Sequence, residues 1–111
     1  MLARLSSSEH QGWTVIGVHG ELDLASAPEF QRLGRAAAVA VDAPRVIVDL
    51  SGCDLLDSVS LGVMLGIRRR VLQRDGELRV VAGERVARTF ELTGTVDVFD
   101  IRHSLGAAAG G

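Results

Sequence analysis

Lysine and tyrosine are absent from this 111-residue chain, cysteine and tryptophan occur once each, and proline occurs twice. A lone Cys53 excludes an internal disulfide, and a small buried thiol is its expected state. No apolar run approaches the roughly 20 residues that cross a bilayer. The N-terminal MLARLSSSEH lacks the basic start and apolar centre of a signal peptide. A cytoplasmic location with no membrane partner is the expectation. Twelve basic residues against fourteen acidic ones leave a net charge of -2, which supplies no overall field for holding nucleic acid. His10, His19 and His103 are scattered without metal-ligand spacing. Neither a G-x-x-x-x-G-K-[ST] loop nor a Rossmann glycine fingerprint is present, and no G-x-S-x-G turn presents a nucleophilic serine. No cofactor, no metal and no enzymatic activity are expected.

A hydrophobic fraction of 47% and a charged fraction of 23% fit one globular domain with its own core, spanning residues 1–111. WTVIGVHG reads as a strand through alternation of Trp13 and Val15 against Thr14, Ile16 and Val18. The polar SSSEHQG before it contains turn residues, and LARL is its expected hairpin partner. Ser26 and Glu29 have capping-box spacing, and Pro28 falls in a first turn that tolerates it. A helix is predicted from Ala27 to Ala40, with Phe30, Leu33, Ala37 and Val41 as its apolar stripe. RVIVDL, without alternation, suits a strand covered on both faces. SGCDLLD then forms a loop into a second helix, Ser58 to Arg74. ELRVVA is a strand, ERVARTFEL a helix ended by Thr93 and Gly94, and VDVFDI a last strand. The tail from Ser104 is a short helix that its glycines should fray. Strands alternating with helices give an α/β domain, a small mixed sheet with an N-terminal antiparallel hairpin and β-α-β crossovers.

Within the second helix, Leu61, Met64, Leu65, Val71 and Leu72 gather on one face that should pack on the sheet, with the Arg68 stem alongside. The other side carries Val59, Gly62, Val63, Gly66 and Ile67, a shallow apolar groove covered by a neighbouring helix or by a partner. Arg68, Arg69, Arg70 and Arg74 complement the dipole at the helix end. At its start, Asp57 or Ser58 is the natural N-cap. A phosphate on Ser58 would sit where the dipole and unpaired N–H groups favour an anion.

These residues resemble the STAS-domain family, specifically bacterial anti-sigma factor antagonists. GELDLASAPEF is similar to the family's Gly-Glu-Leu-Asp approach to its first helix, and VIVDLSGCDLLDSVSLGVMLG to its central strand, loop and D-S-[ST]-G-L-G segment. FELTG and FDIRHS follow in order. The all-arginine basic set, with abundant alanine, glycine and valine, fits a GC-rich bacterial genome. The resemblance implies a partner switch in which the unmodified chain binds an anti-sigma factor serine kinase and frees the sigma factor. Phosphorylation of Ser58 breaks that complex, and a phosphoserine phosphatase restores it. The resemblance implies that Asp23, Asp57 and the helix start around Leu61 and Gly62 lie on the docking surface, and the groove pattern adds Val59, Val63, Gly66 and Ile67 as expected docking residues. The chain departs from the pattern at Val59 and Ser60, which replace the second hydroxyl residue and the next glycine. Ser60 is thereby a rival acceptor, and its side chain is expected where a partner backbone approaches. The other reading is an unphosphorylated STAS scaffold in a signalling or lipid-transport assembly, with Ser58 merely capping. A monomer or a weak homodimer is compatible with either.

Overall fold

A computed structural model describes residues 3–110; Leu2 of the predicted LARL segment lies outside them. The elements are β1 (Arg4–His10), β2 (Trp13–Leu22), α1 (Ala27–Val39), β3 (Arg45–Leu56), α2 (Ser58–Gln73), β4 (Glu77–Ala82), α3 (Glu84–Leu92), β5 (Asp100–Arg102) and α4 (Leu105–Gly110). The five strands pair in chain order, β1-β2-β3-β4-β5, with β1 antiparallel and the other four parallel. This is the predicted mixed sheet. Because crossovers between parallel neighbours have one hand, successive crossovers in one direction put α1, α2 and α3 on the same face. Their apolar sides meet Ile16, Val18, Val46, Val48 and Val80 there.

The hairpin differs from the sequence expectation. The polar RLSSSEH is itself β1, and the turn is only Gln11 and Gly12, both at positive φ (50° and 85°). Two left-handed residues match the twist of the flanking strands, and a serine-rich edge strand resists edge-to-edge pairing.

The opposite sheet face carries Trp13, Val15, Ile47 and Val81, and α4 covers it with Ala108 and Ala109. Leu105–Gly110 is therefore a packed helix. Trp13 Nε1 donates to the Ala109 carbonyl at 3.2 Å and Arg79 Nη1 to the Ala108 carbonyl at 2.6 Å, satisfying acceptors that a helix end leaves open. Arg79 is buried yet compensated: its guanidinium lies 4.6 Å from the Trp13 ring centroid, 3.2 Å from Glu77 Oε2 and 3.5 Å from Asp100 Oδ2.

Two boundaries and one helix face depart from prediction. α1 ends at Val39, so Val41 is exposed, while Phe30 and Ala37 are buried and Leu33 half-buried. The last strand is confined to Asp100–Arg102, because Val98 and Phe99 turn back to hydrogen-bond the Thr95 carbonyl and seat Phe99 edge-on against Phe90 at 5.4 Å. On α2 the buried line is Leu61, Met64, Ile67 and Val71, whereas Leu65 is only half-buried and Leu72 is exposed. The cause is α1. A Cβ at Gly34 would lie 2.2 Å from Ile67 Cδ1, so only glycine lets Ile67 lodge between the two helices.

Candidate partner-docking site

The segment SGCDLLD is not a loop. β3 continues to Leu56, pairing Leu55 with Glu21 and Leu56 with Leu22 past two register irregularities. One falls beside Gly20, whose φ of 98° suits glycine. The extended pairing brings the ends of β2 and β3 together, so that Asp23 and Asp57 leave the sheet side by side. Cys53 is buried in this stretch, and its thiol donates to the Leu55 carbonyl at 3.1 Å. Burial first, helped by the charges of Asp54 and Glu21, pushes that thiol up from its ordinary value.

Asp57 is the N-cap of α2, with extended backbone (φ -89°, ψ 173°). Its Oδ1 accepts from Ser60 N–H at 2.8 Å, its Oδ2 accepts from Leu24 N–H at 3.0 Å, and its own N–H donates to the Leu22 carbonyl at 3.2 Å. One carboxylate thus fastens the helix start to the β2–α1 loop. The loop is braced from within. Asp23 Oδ1 accepts from Ala25 N–H at 3.0 Å, and Ser26 Oγ accepts from Asp23 N–H at 3.0 Å while donating to the Glu21 carbonyl at 3.2 Å. The expected Ser26–Glu29 capping box does not form: Ser26 already has helical backbone, and its hydroxyl is spent on the loop.

Ser58 is the first helical residue and is exposed. Ser60, two residues on, is 0% exposed, and its hydroxyl has no hydrogen-bond partner. Half a helical turn separates the two positions, so one hydroxyl faces solvent and the other the core. Burial argues against Ser60 as an acceptor and also removes its side chain from the docking surface, contrary to both sequence expectations.

Leu61 is buried and absent from the groove lining, a second correction, whereas Ile67, though only 2% exposed, lines the floor of the groove. Val59, Gly62, Val63 and Gly66 remain on a groove of about 490 Å³ between α1 and α2, joined by Gln31 and Arg35 of α1 and by Arg69, Arg70 and Gln73 of α2. The groove is not purely apolar, as its far half is basic. Sequence reasoning also missed Leu24, 69% exposed beside Asp57, and Leu55, 49% exposed. The signal was available for Leu24, a large aliphatic between Asp23 and Ala25 before a helix start. Leu24, Leu55 and Val59 are thus exposed aliphatics near Ser58, Leu24 through its bond to Asp57 and the other two as chain neighbours, with Glu21, Asp23, Asp54 and Asp57 on the same two segments. Among the described residues, no cluster of side chains could hold a metal ion, and no helix is long and apolar enough to cross a membrane.

The STAS-domain family model matches residues 4–108. The chain belongs to the STAS-domain family. This STAS domain is 31% identical over 88 residues to a Staphylococcus aureus anti-sigma-B factor antagonist, covering 78% of this chain and 80% of that one. A Bacillus subtilis anti-sigma-B factor antagonist is 30% identical over 87 residues, covering 78% of each. Among solved structures, an anti-sigma factor antagonist from Mycobacterium paratuberculosis superposes with a TM-score of 0.87 at 27% identity, over 98% of the STAS domain and 92% of that chain.

Proposed function

We propose that this STAS domain is an anti-sigma factor antagonist whose Asp57–Ser58 end docks on a serine-kinase anti-sigma factor and is released when Ser58 is phosphorylated. Its relatives carry the antagonist name. The observation that carries the switch is the pairing of an exposed Ser58 with a wholly buried Ser60 at a helix start capped by Asp57.

The chemistry follows from that position. The Ser58 oxygen attacks the γ-phosphorus of ATP, the new P–O bond replaces the one to ADP, and the hydroxyl proton passes to a base of the kinase. Asp57 serves in this scheme by holding the helix start in place, each of its oxygens accepting one backbone N–H. The Ser58 and Val59 N–H groups precede the first intrahelical bond, from Leu61 N–H to the Asp57 carbonyl, so the product phosphate rests on free donors and the helix dipole.

Release is electrostatic. A kinase that serves Ser58 must hold its own catalytic carboxylate near the seryl oxygen. A phosphoserine brings about 1.5 to 2 negative charges. One carboxylate about 6 Å away then repels it by roughly 4 to 5 kcal/mol at an effective dielectric of 20, before salt screening. Half of that lowers affinity by tens-fold.

A constitutive scaffold drew its support from a Ser60 side chain obstructing the docking surface, and that side chain is buried. The test is incubation with the kinase and ATP followed by mapping of the phosphate. Phosphate on Ser58, weak binding of Ser58→Asp and retained binding of Ser58→Ala support the switch. Equal affinities of the two variants, with no phosphate on a kinase-bound sample, favour the scaffold.

A further inference from the structure

The groove between α1 and α2 begins beside Ser58 at Val59 but ends in a different chemistry, with Arg35, Arg69 and Arg70 along its far half. Among the described residues, ion pairs occupy Arg32, Arg74, Arg79 and Arg102, and Arg35, Arg69 and Arg70 have no described carboxylate within 4.0 Å. The floor is open backbone: a Cβ built at Gly62 or at Gly66 meets nothing within 4 Å. Two glycines one turn apart admit another helix at close range, as side-chain bulk usually sets the interaxial distance.

We infer that this groove receives an acidic amphipathic helix of the anti-sigma factor, as a second contact separate from Ser58. The inference rests on the function proposed above for its partner. A helix fits better than a small anion, since all three arginines are exposed and none is fixed as a buried ligand would require. The partner helix lays small or apolar residues over Gly62, Val63 and Gly66, and its carboxylates meet the arginines beyond. From Ser58 to Arg70 is twelve residues, about 18 Å along the axis. That exceeds the Debye length of about 8 Å in physiological salt, so a phosphate on Ser58 leaves the groove contact intact. The phosphorylated chain therefore retains weak, salt-sensitive binding through the groove, and the two contacts act in series along one helix.

The experiment measures anti-sigma factor affinity for four chains: wild type, Ser58→Asp, the triple variant Arg35→Glu/Arg69→Glu/Arg70→Glu, and Gly66→Leu. The triple variant should bind about 30-fold more weakly at low salt, since three exposed pairs become three repulsions, with the difference narrowing at high salt. Gly66→Leu has room to fold and should weaken binding at every salt concentration by filling the floor. Circular dichroism on both variants confirms that the fold is retained. If both bind like wild type while Ser58→Asp does not, the groove inference is overturned and the Ser58 switch stands. If both lose affinity while Ser58 accepts no phosphate and Ser58→Asp binds normally, the groove contact stands and the switch falls. Wild-type self-association that the triple variant abolishes, with anti-sigma affinity unchanged, would assign the groove to a second copy and overturn the inference.

Discussion

One oxygen of the Asp57 carboxylate holds the backbone N–H of Leu24 at 3.0 Å, a bond between residues 33 positions apart. Its other oxygen caps α2 at Ser60 N–H. Asp57 therefore positions Leu24 on the proposed docking surface as well as capping the start of α2. Asp57→Ala should cost about 2 kcal/mol, combining a lost cap with a lost charge-assisted bond. Urea unfolding measures the cost, and limited proteolysis at the Leu24 loop should quicken in the same variant. Asp57→Asn, which keeps an acceptor for the cap, should recover about half of the loss.

Ser60→Ala should raise stability or leave it unchanged, by up to about 1 kcal/mol, because a buried hydroxyl without a partner is removed. Ser58→Ala should stay within about 0.5 kcal/mol of wild type, as an exposed position that is not the cap. Thermal unfolding of the two variants checks both values. A large loss at Ser60 would show that its hydroxyl has found a partner.

Gly34→Ala should destabilise by about 1 to 3 kcal/mol even though alanine favours helix by roughly 1 kcal/mol. Cγ1 and Cγ2 of Ile67, as well as Cδ1, crowd the added carbon at 2.5 and 3.2 Å, so no single rotation relieves the clash. Gly62→Ala should do the reverse and stabilise by up to about 1 kcal/mol, since open space receives the methyl. Denaturant midpoints for this pair test whether α1 and α2 touch where the structure places them.

Ending the chain at His103 should uncover Trp13, Val15, Ile47 and Val81 and remove acceptors of Trp13 and Arg79. A loss of about 2 to 3 kcal/mol is expected from two hydrogen bonds and the covered area. The lone tryptophan reports it directly, through a red-shifted emission at neutral pH.

Much of this was legible in residue order. The strand and helix alternation, the start of α2, a cap at Asp57 or Ser58 and the helix end at Thr93 and Gly94 follow from local chemistry, which needs only neighbours in the chain. The misreadings involve contacts across the fold. The continuation of β3 through Cys53 depends on a register shift against β2, and irregular pairing erases the alternation that marks a strand. The buried line of α2 shifts to Ile67 because Gly34, 33 residues away, leaves a recess for it. Ser60 looked like a surface hydroxyl because its motif places a glycine there, and nothing local says which side of the first turn faces inward. The Leu24–Asp57 bond was invisible for the same reason.

The sheet order has a consequence for how the protein is made. Each parallel strand joins the edge left by its predecessor, so no strand must be inserted between two that already exist. A chain leaving the ribosome can therefore grow its sheet as it emerges, each strand pairing with the one made just before it. The second face of the sheet stays bare until α4 arrives to shield it.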